Sequence, residues 1–205
     1  MRITVIGAGL AGCEAAWQAA RRGLDVTLFE MKPERYSPAH RSPDFAELVC
    51  STSLRSNEPS AAVGLLTEEM RRLGSLILTA ADECAVPAGK ALAVDRVAFA
   101  ARLTEAIESH PRIEVRRERV AKLPETGRVI LATGPLTDDD LAAELQGLLG
   151  DPYLYFYDAL SPIVYADSID MDTAFRASRY QDGDGDYINL PLDRTQYEEF
   201  VAALL

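Results

Sequence analysis

Ile3-Thr4-Val5-Ile6-Gly7-Ala8-Gly9-Leu10-Ala11-Gly12 is the stretch that decides the fold. Residues 2–6 read as a short buried strand that runs into glycine. Gly7 to Gly12 then spell G-x-G-x-x-G, a weak pattern alone and a specific one between a strand and a helix. Residues 10–22 supply the helix, with Leu10, Ala11, Ala15, Ala19 and Ala20 as small apolar positions and Gly23 as its stop. Residues 25–29 read as a second buried strand, and Glu30 stands at its end. This is the strand–helix–strand unit of a right-handed parallel crossover. The three glycines do different things. Gly7 permits the tight turn, Gly9 lets backbone approach a pyrophosphate, and Gly12 lets helix and strand pack closely. The helix start offers free N–H groups to phosphate, with Ala8, Leu10 and Ala11 inside the same loop. Glu30 is placed to accept hydrogen bonds from ribose hydroxyls, which argues against a 2′-phosphate and so against NADP at this site.

Outward from this unit, Val129-Ile130-Leu131 reads as a buried strand entering Ala132-Thr133-Gly134. In flavoproteins with two dinucleotide folds a later strand ends in Ala-Thr-Gly over the FAD. Glu118-Arg119-Val120 fits the strand whose backbone touches adenine in such folds. Val120, Thr133 and Gly134 therefore join the cofactor-binding set, and FAD is the expected dinucleotide. Helices are expected over 60–73, 96–109, 136–149 and 194–204, and strands over 113–115, 119–123, 153–157 and 163–166. Residues 182–186 read as a tight hairpin loop, since they lack the ligands of an EF-hand. The polar stretch from Met31 to Asn57 holds Pro33, Pro38 and Pro43, and a loop of that length inside a domain is usually functional. The expected class is α/β: a Rossmann-like FAD-binding domain from residues 1–56 and 110–150. Segments 57–109 and 151–205 form an inserted or following mixed α/β substrate-side region, expected to be incomplete.

Bulk properties narrow the class further. The 205 residues carry a net charge of −11, which speaks weakly against a nucleic-acid surface. Arg112, Arg116, Arg117 and Arg119 form a local basic cluster, read as a solvated strand edge. No apolar run is long enough to span a membrane. The run at residues 3–6 is too short for a signal-peptide core, so a cytoplasmic protein is expected. Three cysteines without close pairing form no disulfide framework. His40 and His110 match no metal-ligand spacing, so no metal is expected.

Phe45-Ala46-Glu47-Leu48-Val49-Cys50-Ser51-Thr52-Ser53-Leu54-Arg55-Ser56 is the most unusual segment. Cys50 lies in a polar loop where Arg41 or Arg55 could stabilise a thiolate, the reactive form; a loop cysteine is otherwise a bystander. Further motifs accompany it: Met31-Lys32-Pro33, Ser37-Pro38-Ala39-His40, Ala62-Val63-Gly64-Leu65-Leu66 and Val86-Pro87-Ala88-Gly89. So do Ala91-Leu92-Ala93-Val94-Asp95-Arg96, Ser168-Ile169-Asp170-Met171-Asp172 and Ala174-Phe175-Arg176-Ala177-Ser178-Arg179-Tyr180. Together they resemble the TrmFO family of folate- and FAD-dependent tRNA (uracil-5-)-methyltransferases, relatives of the GidA/MnmG flavoproteins, over essentially the whole chain.

The resemblance implies a reaction. A one-carbon unit from 5,10-methylenetetrahydrofolate passes by way of reduced flavin to C5 of the T-loop uridine of tRNA, with NAD(P)H as reductant. It implies Cys50 as a catalytic residue, as nucleophile or in proton transfer, and places Lys32 with the cofactor-binding residues. Cys13 and Cys84 match no catalytic position. Thr52 stands where Asn is usual, Lys90 where a second Gly is usual, and Leu190 where Cys is common. The family's other functional cysteine lies in a Gly-Cys-Pro-like segment beyond residue 205, so the chain is expected to be an N-terminal portion. The alternatives are a truncated FAD-binding module without its own activity, and a sister enzyme acting on ribosomal RNA.

Overall fold

The computed structural model describes residues 1–150, 164–178 and 185–204. Its centre is a four-stranded sheet in the order β6-β2-β1-β7, all neighbours parallel. The strands are β1 (Arg2–Ile6), β2 (Asp25–Phe29), β6 (Ile113–Arg116) and β7 (Arg128–Leu131). In β1 the alternation of side chains sends Val5 into one core and Ile6 into another, so both faces of the sheet are covered.

Helix α1 (Leu10–Arg21) joins β1 to β2. It closes in a Schellman motif: Gly23 N–H donates to the Ala20 carbonyl, and Leu24 N–H to that of Ala19. Gly23 takes φ +82°, a value available to it without a Cβ, so it is the expected stop. On the Val5 face α1 packs with α3 (Leu76–Glu83) and α4 (Arg96–Glu108). Leu76, Leu78, Leu92, Phe99 and Leu103 share one core with Val5, Ala16, Val26 and Leu28. Helices from the 57–109 segment are thus continuous in packing with the parallel sheet. On the Ile6 face α5 (Asp139–Leu149) contributes Leu141 and Leu145, with Val120 and Leu123 packed against them.

A second sheet, in the order β3-β5-β4, is antiparallel. It consists of β3 (Ser53–Ser56), β4 (Ala85–Val86) and β5 (Ala91–Val94), with α2 (Ala62–Arg72) beside β3. A hairpin of β8 (Phe175–Ala177) and β9 (Tyr187–Asn189) precedes α6 (Arg194–Leu204). Tyr187 Oη donates to the Ala88 carbonyl at 2.9 Å, tying the hairpin to the β4–β5 turn.

Several sequence expectations change. The strand expected over 119–123 does not form: β6 ends at Arg116 and the chain leaves the sheet. Arg119 turns to Asp138 and Leu123 N–H donates to Glu144, so the segment pairs with α5 rather than with a strand. The helix expected over 136–149 begins at Asp139, after a 3₁₀ turn over Gly134–Leu136. Asp138 is its N-cap and accepts from Asp140 N–H, which sets the start. Residues 164 and 165 are not strand, and Ala166–Ser168 is a 3₁₀ turn whose Ser168 N–H donates to the Tyr165 carbonyl. The expected strand over 153–157, residue 163 and most of the 182–186 loop lie outside the described residues.

Candidate functional site

The glycine loop is built by steric exclusion. Gly7 has φ +96°, and a Cβ there would lie 2.7 Å from the Ala132 carbonyl oxygen. A Cβ on Gly12 would overlap the Gly7 carbonyl. Neither contact can be relieved by a flexible side chain, because both neighbours are backbone. At Gly9 an added Cβ would meet nothing within 4 Å, so the loop is open on the side where a ligand could approach. Gly9 is also the N-cap of α1 and supplies no side-chain cap. The first-turn N–H groups and the positive end of the helix dipole are left for an anion.

A cavity of about 340 Å³ opens over this loop. Gly7, Ala8, Gly9, Leu10, Ala11, Glu30, Lys32, Val120, Thr133 and Gly134 all line it. Gly12 lies behind the loop and acts through packing. The cavity has the size of a small-ligand pocket. His40, Glu47, Val49, Arg119 and Asp138 also line it and are not among the expected site residues. The segments Ser37–His40, Phe45–Ser56 and Glu118–Val120 carry a signal for the first four; the place of Asp138 depends on tertiary contacts.

Glu30 is 7% exposed and its carboxylate is held from two sides. Oε2 accepts from Ala8 N–H at 2.9 Å and Oε1 from Lys32 N–H at 3.0 Å. Each oxygen keeps a lone pair for a further donor, as ribose recognition requires. Lys32 is 3% exposed, and its ammonium is engaged within the protein. It donates to the Asp44 carbonyl and stands 3.6 Å from Glu47 Oε2. It lines the cavity wall, and its charge is already engaged.

The opposite wall is an ion cluster. Arg119 and Arg35 both reach Asp138, whose side chain is 5% exposed. The Arg119 guanidinium holds the Asp138 carboxyl below its ordinary range. Arg119 also pairs with Asp140. The other arginines of the basic cluster are matched by acids as well: Arg112 by Asp25, Arg116 by Glu114 and Arg117 by Glu108. The expected solvated strand edge therefore fails for two of them: β6 ends at Arg116, Arg117 lies against the buried Phe45 ring, and Arg119 forms part of the cavity wall.

The cysteine segment is pinned beneath the cavity. Phe45 is fully buried, its N–H donates to Thr104 Oγ1 at 2.8 Å, and the Arg117 guanidinium lies 4.0 Å from its ring centroid. Ala46 N–H donates to the Ala8 carbonyl at 2.9 Å. Val49 lines the cavity, whereas Cys50, the next residue, is exposed at its edge and is not a lining residue. Arg41 donates to the His40 carbonyl. Cys13 is buried in the α1 core, and burial pushes its thiol up to about 12. Cys84 is partly buried and also raised by burial. Among the described residues no group of three or more His, Cys, Asp and Glu could hold a metal, and no helix is long and apolar enough to cross a membrane.

Comparison with known proteins adds a relationship to this geometry. The methylenetetrahydrofolate--tRNA-(uracil-5-)-methyltransferase TrmFO of Geotalea uraniireducens is 63% identical over 205 residues, which is 100% of this chain and 47% of that protein. The protein of the same name from Heliobacterium modesticaldum is 57% identical, with the same coverage. The chain therefore spans about half the length of the curated relatives it matches. A solved Aquifex aeolicus GidA is 20% identical with TM-score 0.47, over 58% of this chain and 20% of that one, a likeness too slight to add to the fold reading. The family model for glucose inhibited division protein A matches residues 2–205, and the chain belongs to that family.

Proposed function

We propose that this chain is the dinucleotide-binding part of a folate-dependent tRNA (uracil-5-)-methyltransferase, that its cavity holds the adenosine half of FAD, and that Cys50 takes part in the reaction. The observation that carries the reading is the pairing of a buried, doubly held Glu30 with an open Gly9 and an uncapped α1 N-terminus in one cavity. Identity of 63% and 57% over the whole chain to two TrmFO proteins supplies the reaction class.

The roles follow from the chemistry of each group. Glu30 accepts from ribose hydroxyls. The first-turn N–H groups of α1, at Leu10, Ala11 and Gly12, meet the pyrophosphate. Backbone at Val120, Thr133 and Gly134 closes the remaining wall. Lys32 shapes the floor through Asp44 and Glu47. Bound FAD would supply the redox carrier between methylenetetrahydrofolate and uracil, with NAD(P)H as reductant. Uracil C5 is a poor nucleophile until a thiolate adds at C6 or a base removes its proton, and Cys50 serves in one of these two ways. The reading divides the chain into a dinucleotide-binding part, 1–56 and 110–150, and a substrate-side part, 57–109 and 151–205. The reaction belongs in the cytoplasm, where the folate and the tRNA meet.

The test is transfer of labelled methylene from 5,10-methylenetetrahydrofolate to a T-loop transcript, with FAD and NAD(P)H present. Transfer that is lost in Cys50→Ala supports the enzyme. A second reading, a flavin-binding unit whose catalysis needs more chain, is favoured by the 47% coverage of the relatives. It is supported if this chain turns yellow with FAD but transfers nothing while a relative of full length does. Protein that binds no FAD defeats both readings.

A further inference from the structure

The cavity floor contains a closed ring of interactions that joins Glu30 to the cysteine segment. Glu30 Oε2 accepts from Ala8 N–H, and the Ala8 carbonyl accepts from Ala46 N–H. Glu47 follows Ala46 in the chain, and its carboxylate pairs with Lys32 at 3.6 Å. Lys32 N–H returns to Glu30 Oε1 at 3.0 Å. The ring thus begins and ends on the two oxygens of one carboxylate.

Glu47 and Lys32 hold this ring by charge rather than by apolar contact. The Lys32 side chain is 4% exposed, and a buried ammonium is costly without a counter-charge. Glu47 also accepts from Arg41 N–H and Ser42 N–H, at 3.0 to 3.2 Å, so it folds the turn that opens the segment. Ala46 has φ +49°, an uncommon backbone state for a residue with a Cβ, kept here by the bond to Ala8 and the buried Phe45 beside it. Cys50 lies three residues beyond Glu47.

We propose that the Lys32–Glu47 ion pair is a positioning device that carries occupancy of the dinucleotide cavity to Cys50. The proposal rests on the FAD reading above. Donors arriving at Glu30 from a ribose act on the carboxylate that also holds Ala8 and Lys32, and through them the backbone at Ala46. Lys32 and Glu47 are then positioning residues, and neither needs to touch the reacting atoms. Lys32 acts on the cysteine segment instead of on phosphate.

The experiment measures the rate of Cys50 alkylation by iodoacetamide, read by peptide mass spectrometry, in the 205-residue chain with and without saturating FAD. In the unaltered chain FAD is expected to change the rate by at least about fivefold, the lower end of ordinary coupling between sites. In Glu47→Gln, at a FAD concentration that saturates the variant, the FAD effect on Cys50 is expected to fall below about twofold. Lys32→Met is expected to lose the coupling in the same way, and far-UV circular dichroism identifies a variant that has unfolded. An effect of about fivefold that survives in a folded Glu47→Gln or Lys32→Met chain overturns the proposal. FAD that binds the unaltered chain without changing the Cys50 rate overturns the device alone. An unaltered chain that binds no FAD overturns the flavin reading and the device with it.

Discussion

The glycine-loop end of this molecule and the described residues of its 164–204 end both carry strands and a helix, and their burial is very unequal. At the first, Val5, Cys13, Leu28, Phe45 and Phe99 are closed from solvent, and the polar groups around them are paired. At the second, only Ala174 and Gly185 are buried among the described residues. Helix α6 still carries Tyr197, Phe200 and Leu204 at helical spacing, and each is more than half exposed. The difference teaches what periodicity measures. It identifies a helix face suited to burial, and the partner that covers it is a separate matter of tertiary structure.

That contrast can be broken by substitution. Phe45→Ala should destabilise the chain by about 3–5 kcal/mol, as for a large side chain removed from a closed core, measured by urea unfolding. Gly12→Ala should cost at least about 3 kcal/mol, the upper range for overpacking, because its Cβ would meet the Gly7 backbone; the same unfolding experiment reads it. Glu30→Gln should weaken FAD binding by about 10- to 100-fold, given about 1.5–3 kcal/mol for a hydrogen bond to a charged group, measured by flavin fluorescence. Phe200→Ala, by contrast, should stay within about 0.5 kcal/mol, the usual range for an exposed site. A large loss there would show that α6 is covered in solution and would erase the contrast.

Two pH effects sharpen the comparison, and both arise in the ordered end. Cys13 is raised from an ordinary 9.0 to about 12 by burial, so the folded chain keeps the neutral thiol. Its contribution to stability is intact below pH 9 and declines as pH rises toward 12, by at most about 1.4 kcal/mol per pH unit. Cys13 should therefore resist a thiol reagent at about pH 8, below its ordinary value, until the chain unfolds, while exposed Cys50 reacts at once. Asp138 is shifted the other way, lowered by Arg119. Its contribution is present above its ordinary value of 3.8 and is lost as pH falls through the lowered folded value. Asp138→Asn keeps an N-cap acceptor but loses the charge that pairs with Arg119, so it should lower stability in the neutral region and converge on the unaltered chain at acid pH, which flattens the acid limb of the stability–pH curve.

Legibility from the sequence followed the range of the interactions. The β1–α1–β2 unit was readable because its signals are local: a strand, three spaced glycines, a helix stop and an acid at the second strand's end. The same holds for α4, β6 and α6, whose periods lie within their own windows. Strand β7 forms where expected but is not the buried strand expected there: it ends the sheet order, and Ile130 and Leu131 are 37% and 38% exposed. Helix α3 escaped because it has only eight residues and opens on the apolar run Leu76-Ile77-Leu78, which periodicity cannot tell from a buried strand. Strands β3, β4 and β5 have two to four residues and owe their form to each other. The expected strand at 119–123 failed for a similar reason: its partner turned out to be α5, through Arg119–Asp138 and Leu123–Glu144.

By itself, then, the sequence determined the parallel α/β unit, the glycine loop and the acid at position 30, because steric permission at glycine and alternation in a buried strand are properties of short segments. Only the tertiary structure decided that Lys32 turns its charge to Glu47, that Asp138 gathers Arg35 and Arg119 at the cavity wall, and that Ala46 is bound to the glycine loop. Those pairings join residues far apart in the chain. A buried charge takes whichever partner the fold brings within reach, and no local pattern encodes that choice.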